Sequence, residues 1–132
     1  MSDFRSLQYE VDGRRACITL NRPERLNAID MHMPREIREA VERANDDQDV
    51  HVIVLAGAGR AFCAGYDLKE FAESAGAHQQ GPVWDPVKDY RGMRRNTDDF
   101  FTLWRSLKPT ICKVHGTRWR EAATSHSRAT WW

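Results

Sequence analysis

The sequence predicts an α/β fold, and three observations carry that reading: two strand-like segments hinged on a turn dipeptide, an amphipathic helical stretch, and a short β-branched run bounded by glycine. Residues 7–11 and 16–20 flank Asp12-Gly13, a pair suited to a tight hairpin. Asn21-Arg22-Pro23 then ends the second strand, because proline has no N–H to give to a ladder.

From Pro34 onward, Ile37, Ala40, Val41 and Ala44 fall on one helical face, with Arg35, Glu36, Arg38, Glu39, Glu42 and Arg43 around the rest. Pro34 suits a first turn. The polar stretch 45–49 closes the helix, and HVIVLA at 51–56 reads as a buried strand. A loop follows to Gly65, then a short helical stretch from Asp67, its expected N-cap, to Phe71. Residues 74–92 contain Gly76, Gly81, Pro82, Pro86 and Gly92 without periodicity and are expected to form a long surface loop. Phe100, Leu103, Trp104 and Leu107 return to helical spacing, and TICKVH at 110–115 reads as another buried strand.

A chain of 132 residues suits one domain. Twenty basic against nineteen acidic side chains leave a net charge of +1, so no global field points to nucleic acid or an anionic membrane. A hydrophobic fraction of 41% implies a modest core. The first residues form no apolar leader and no run is long enough to span a bilayer, so a cytoplasmic location is expected. Cys17, Cys63 and Cys112 are odd in number, far apart and in apolar company, which argues for buried thiols rather than disulfides or a metal site.

The chemistry concentrates in AGAGRAFCAGYDLK at 56–69, a glycine-rich turn between a buried strand and a helix, able to aim backbone N–H groups at an anion. Phe62 stands where a dinucleotide fingerprint needs its third glycine, and the Lys-Ser/Thr of a P-loop is missing. Together with NRPERLNAI at 21–29 and KPTICKVHG at 108–116, this segment resembles the crotonase superfamily of enoyl-CoA hydratases and isomerases in order and spacing. The resemblance covers residues 7–116 and implies an α/β, crotonase-like (ClpP/crotonase) spiral of ββα units, here truncated.

That resemblance assigns roles. The backbone N–H of Ala64 is implied as the first oxyanion-hole donor, and a small residue there lets a thioester oxygen approach the main chain. Arg25, Leu26 and Ala28 match the segment lining the CoA path, and Gly65, Tyr66, Asp67 and Leu68 match the facing wall. Arg25 also reads as a solvated loop cation, and Tyr66 as a loop cap. Cys63 has no base placed beside it and reads as packing rather than as a nucleophile. The implied substrate is a coenzyme A thioester, with no metal and no further cofactor; neither nucleic acid nor membrane is an expected partner, and the family assembles as homotrimers or hexamers.

The resemblance stops after Gly116. TRWREAATSHSRATWW replaces the glycine-rich segment that gives the family its second oxyanion donor. Inserting one nucleotide after the Gly116 codon permits GYAVAGGSDIAL, two ambiguous residues and DLV, which is the family pattern. Residues 117–132 are therefore expected to be an out-of-frame tail on a family portion at 1–116. Glu70, Glu73 and Glu121 do not match the family's acid/base glutamates, so this polypeptide is expected to be inactive as a hydratase. Loss of the family's later helices would leave Ile37, Val41, Phe100 and Trp104 uncovered. The alternatives are another crotonase-type acyl-CoA reaction, by an isomerase, dehalogenase or hydrolase, or a non-catalytic interaction module built on Trp119, Trp131 and Trp132.

Overall fold

A computed structural model describes residues 4–73 and 83–118. Strands β1 (Leu7–Asp12) and β2 (Arg15–Leu20) form the expected hairpin, paired antiparallel from Leu7 against Leu20 to Asp12 against Arg15. The connection is Gly13-Arg14, one residue later than expected. Asp12 remains in the ladder, where its carboxylate pairs with Arg15, and Gly13 takes a φ of 58° that an L side chain resists.

Helix α1 (Met33–Asp46) leads to β3 (Val52–Gly57) and the short β4 (Ala61–Cys63). Helix α2 (Pro86–Trp104) leads to β5 (Thr110–Lys113) and β6 (Thr117–Arg118). Parallel pairing of β2 with β3 and of β3 with β5 gives one sheet of order β1-β2-β3-β5, while β4 and β6 pair parallel in a second. Each parallel step in the large sheet needs a crossover, which the stretches carrying α1 and α2 supply. Strand, strand, helix thus occurs twice before a third strand pair. In the second and third units the first strand joins the large sheet and the second strand the small one.

Ile37, Ala40, Val41 and Ala44 are at most 2% exposed, packed in one cluster with Leu7, Ile18, Ile53 and Leu55. Phe62 on β4 is the bulkiest of the fully buried side chains, and such burial contributes about 1.5–3 kcal/mol. The expectation that Ile37 and Val41 would lie uncovered is corrected, because α2 packs on α1 and brings Leu103 and Phe100 to the same core. Trp104 does stay 39% exposed.

Two further readings change. Glu36, assigned to the solvent face, is buried, and its carboxylate accepts from the Arg5 and Ser6 N–H groups at 2.8 Å each. The expected 74–92 loop is helical from Pro86, because Asp85 caps α2 by accepting from the Val87 and Lys88 N–H groups and Pro86 occupies the first turn. Gly92 sits within this helix on an open face. Residues 74–82 and 119–132, which include Trp119, Trp131 and Trp132 of the expected tail, lie outside the described residues.

Candidate functional site: a groove between two backbone loops

The segment after β2 turns back on itself through a single 3-10 turn (Pro23–Arg25) and two consecutive left-handed residues, Leu26 (φ 52°) and Asn27 (φ 54°). Asn27 is fully buried and explains how this shape holds. Its side-chain oxygen accepts from the Arg22 N–H, and its side-chain nitrogen donates to the Ala58 and Ala61 carbonyls, each at 2.8 Å. One amide therefore stitches the 21–29 loop to the glycine-rich turn, and asparagine tolerates the left-handed region better than most residues.

The two loops then run side by side. Ile29 N–H donates to the Gly65 carbonyl (2.8 Å) and Asp67 N–H to the Ile29 carbonyl (2.9 Å), which makes a parallel bridge between Ile29 and Tyr66. Gly57 permits the tight return, since a Cβ there would lie 2.5 Å from the Phe62 carbonyl oxygen.

Between the loops opens a groove of about 310 Å³ lined by Glu24, Arg25, Leu26, Ala28, Arg60, Tyr66, Asp67 and Leu68. Six residues assigned to the CoA path from sequence line it: Arg25, Leu26, Ala28, Tyr66, Asp67 and Leu68. Ala64 and Gly65 immediately precede Tyr66 in the chain without lining the groove. Tyr66 packs edge-on against Phe71 with ring centres 5.6 Å apart, so it braces the wall as well as facing the groove. Arg25 is half-exposed, with its Nε 3.9 Å from the Asp67 carboxylate. Arg60 and Glu24 were not singled out in the sequence; a cation directly after the glycine turn was the available signal for Arg60.

The N–H of Ala64, the donor implied by the resemblance, is hydrogen-bonded within the protein in this structure. It gives its proton to the Leu26 carbonyl oxygen at 3.0 Å. The cause lies in Leu26: its left-handed backbone (φ 52°, ψ 35°) caps the 3-10 turn and faces its carbonyl toward the end of β4. An incoming oxygen at Ala64 therefore has to displace that carbonyl.

Behind the groove lies a polar network that no local pattern announced. Arg22 Nη1 donates to the Ala28 carbonyl (2.6 Å), Nη2 donates to Asp67 Oδ2 (3.1 Å) and lies 3.7 Å from Glu70, and Nε lies 3.4 Å from Asp30 Oδ2. Asp30 also accepts from the Ser6 hydroxyl (2.6 Å) and from the His32 and Met33 N–H groups at the start of α1. Asp67 caps the turn at Lys69–Glu73 by accepting from the Glu70 N–H at 3.3 Å, the capping role expected of it. Burial pushes the Asp67 carboxyl up, but the Glu70 N–H, the Arg22 hydrogen bond and the charges of Arg25 and Arg22 together outweigh it and hold it below its ordinary value.

Cys63 and Cys112 are buried and Cys17 half-buried, none in a disulfide. The Gly65 N–H donates to Cys63 Sγ at 3.4 Å. Among the described residues no group of three His, Cys, Asp or Glu side chains is placed to hold a metal, and no helix is long and apolar enough to cross a membrane.

Residues 15–117 match the family described as Enoyl-CoA hydratase/isomerase. The chain belongs to that family. A probable enoyl-CoA hydratase, EchA14 of Mycobacterium tuberculosis, is 36% identical over 116 residues, which is 88% of this chain and 41% of that protein. An enoyl-CoA hydratase structure from Mycobacterium smegmatis superposes with a TM-score of 0.82 at 40% identity, covering 96% of this chain and 45% of that one. An enoyl-CoA hydratase/isomerase from Xanthobacter autotrophicus Py2 gives 0.74 at 38% identity, covering 86% and 39%. The α/β architecture is thus that of the crotonase-type enoyl-CoA hydratases, and the chain spans about two-fifths of the length of the curated relatives it matches.

Proposed function

We propose that this chain carries the CoA-binding part of an enoyl-CoA hydratase/isomerase-type enzyme acting on 2-enoyl-CoA, with the Ala64 N–H as one of the two oxyanion donors. The observation that carries the reading is the convergence of Arg25, Leu26, Ala28, Tyr66, Asp67 and Leu68 on one groove beside that amide. In hydration an enolate oxygen develops from the thioester carbonyl, and a backbone N–H aimed at it is worth about 2.7–4 kcal/mol in the transition state.

The cost of moving the Ala64 N–H from Leu26 to the thioester oxygen is small. One neutral N–H to carbonyl bond replaces another, and a typical bond of that kind nets only about 0.5–1.5 kcal/mol.

No residue of this polypeptide matches the family's paired acid/base glutamates or its second oxyanion donor. Glu70 is engaged with Arg22 and the Met31 N–H rather than presented to the groove. The 132-residue polypeptide is therefore a binder of acyl-CoA with negligible hydratase turnover. Isothermal titration with crotonyl-CoA, set against a single-stranded oligonucleotide, tests this: saturable binding of the thioester alone supports the reading, and oligonucleotide binding without thioester binding refutes it. Turnover of crotonyl-CoA by the purified polypeptide would refute the inactivity.

A further inference from the structure

We infer that Arg22 is a positioning residue for the acyl-CoA groove, which it does not itself line: its guanidinium holds the wall residue Asp67 in place and offsets part of the negative charge of the carboxylates clustered behind it. The inference rests on the acyl-CoA reading above. Three carboxylates crowd this cation, Asp67 at 3.1 Å, Asp30 at 3.4 Å and Glu70 at 3.7 Å. Asp30 and Asp67 are only 6% and 5% exposed, so water screens them poorly. Among the described residues a second cation near Asp67 is Arg25, 3.9 Å away and 43% exposed. A CoA thioester brings phosphate charge into the groove, and its enolate would add charge at the thioester oxygen. Carboxylates behind the wall repel both, and Arg22 lowers that repulsion without touching the ligand.

The geometry also explains why this cation is an arginine. Its three nitrogens point to different segments: Nη1 to the Ala28 carbonyl, Nη2 to Asp67, Nε to Asp30. Ala28 and Asp67 lie on opposite walls of the groove, so one planar group ties both walls to the entry of α1. Lysine would keep the charge and lose the fork.

The test compares crotonyl-CoA affinity of the unaltered chain, R22Q and R22K by titration calorimetry between pH 7 and pH 5. Asp67 faces Arg22 and Arg25 and the Glu70 N–H; Arg22 faces Asp30, Asp67 and Glu70; Asp30 also faces the Ser6 hydroxyl. With Arg22 gone, burial is opposed only by the Glu70 N–H and the charge of Arg25, so in R22Q the Asp67 carboxyl takes up a proton at a higher pH than in the unaltered chain. The expected result is an affinity about tenfold weaker in R22Q at pH 7, a gap that narrows toward pH 5, and R22K within about threefold of the unaltered chain throughout. Titration of the ligand's own phosphates is common to all three and cancels in the ratio. A gap that does not change with pH, or R22Q binding as well as the unaltered chain, overturns the inference alone. Should R22Q not fold, R22K decides: affinity within about threefold supports the charge role, and a tenfold loss overturns it. Failure of the unaltered chain to bind the thioester overturns the proposed function and this inference with it.

Discussion

The Ala64 N–H and the Leu26 carbonyl oxygen are hydrogen-bonded at 3.0 Å, so the loop that forms one wall of the groove also closes the backbone donor beside the other. Leu26 lines the groove and holds a left-handed backbone, with Asn27 next to it in the same region. The contact therefore depends on whatever keeps these two residues in place, and Asn27 is the chief support.

Replacing Asn27 with alanine is expected to destabilise the fold by about 2–4 kcal/mol. The change removes the partner of the part-buried Arg22 N–H, the part-buried Ala58 carbonyl and the buried Ala61 carbonyl at once and puts a residue less tolerant of φ 54° in its place. Urea unfolding followed by far-UV circular dichroism checks it. A loss below 0.5 kcal/mol, about the size of an ordinary surface change, would contradict the account.

Gly57 to alanine is expected to cost about 1–3 kcal/mol, since the added Cβ would lie 2.5 Å from the Phe62 carbonyl and 2.8 Å from its Cα, both backbone atoms that cannot rotate away. The same change at Gly92, where a Cβ meets nothing within 4 Å and the backbone is helical, is expected to stabilise slightly. Opposite signs for the two variants in one denaturation series are the expected outcome, and equal effects would contradict it.

Acid should weaken the network through Asp67. Its carboxyl is held below its ordinary value in the folded state, so it favours folding above the unfolded-state value of about 3.9. That contribution is lost as the pH falls through the lower folded-state value. The urea midpoint of the chain should thus exceed that of Asp67→Asn at pH 6, with the gap closing below about pH 4. A gap that stays constant down to pH 3 would show that charge at Asp67 contributes nothing.

Cys112 should resist alkylation in the folded protein. Burial, with the nearby Cys63 adding to it, pushes the Cys112 thiol up to about 11, leaving almost no thiolate at pH 8. Iodoacetamide followed by peptide mass mapping should modify Cys112 only after urea is added. Modification at the same rate with and without urea would contradict the buried placement.

The hairpin, the α1 core face and β3, of which Ile53 and Leu55 are buried, were legible because each rests on contacts a few residues apart or on a periodic face, which sequence spacing reports directly. The crossover order and the groove came instead from three motifs in register, and six of the residues they named do line it. Arg22, Asn27, Asp30 and Glu36 were invisible as structural centres, since their partners lie as far as 45 residues away and polar side chains carry no periodic signal. The start of α2 is hard to read from sequence because Pro86 and Gly92 resemble breakers, although Asp85-Pro86 is a helix entry and an exposed glycine costs a helix only about 1 kcal/mol. Closure of the Ala64 amide was equally unreadable: it follows from the backbone angles of Leu26, a residue type that seldom adopts them.

The most direct test of the acyl-CoA reading follows the Ala64 amide itself by NMR, with 15N-alanine in the protein and stepwise addition of crotonyl-CoA or of CoA lacking the thioester. Exchange of its partner from Leu26 to the ligand predicts that the Ala64 signal moves with crotonyl-CoA and stays in place with CoA. If both ligands bind and leave Ala64 unmoved, or if neither binds, the groove is not an oxyanion-bearing acyl-CoA site.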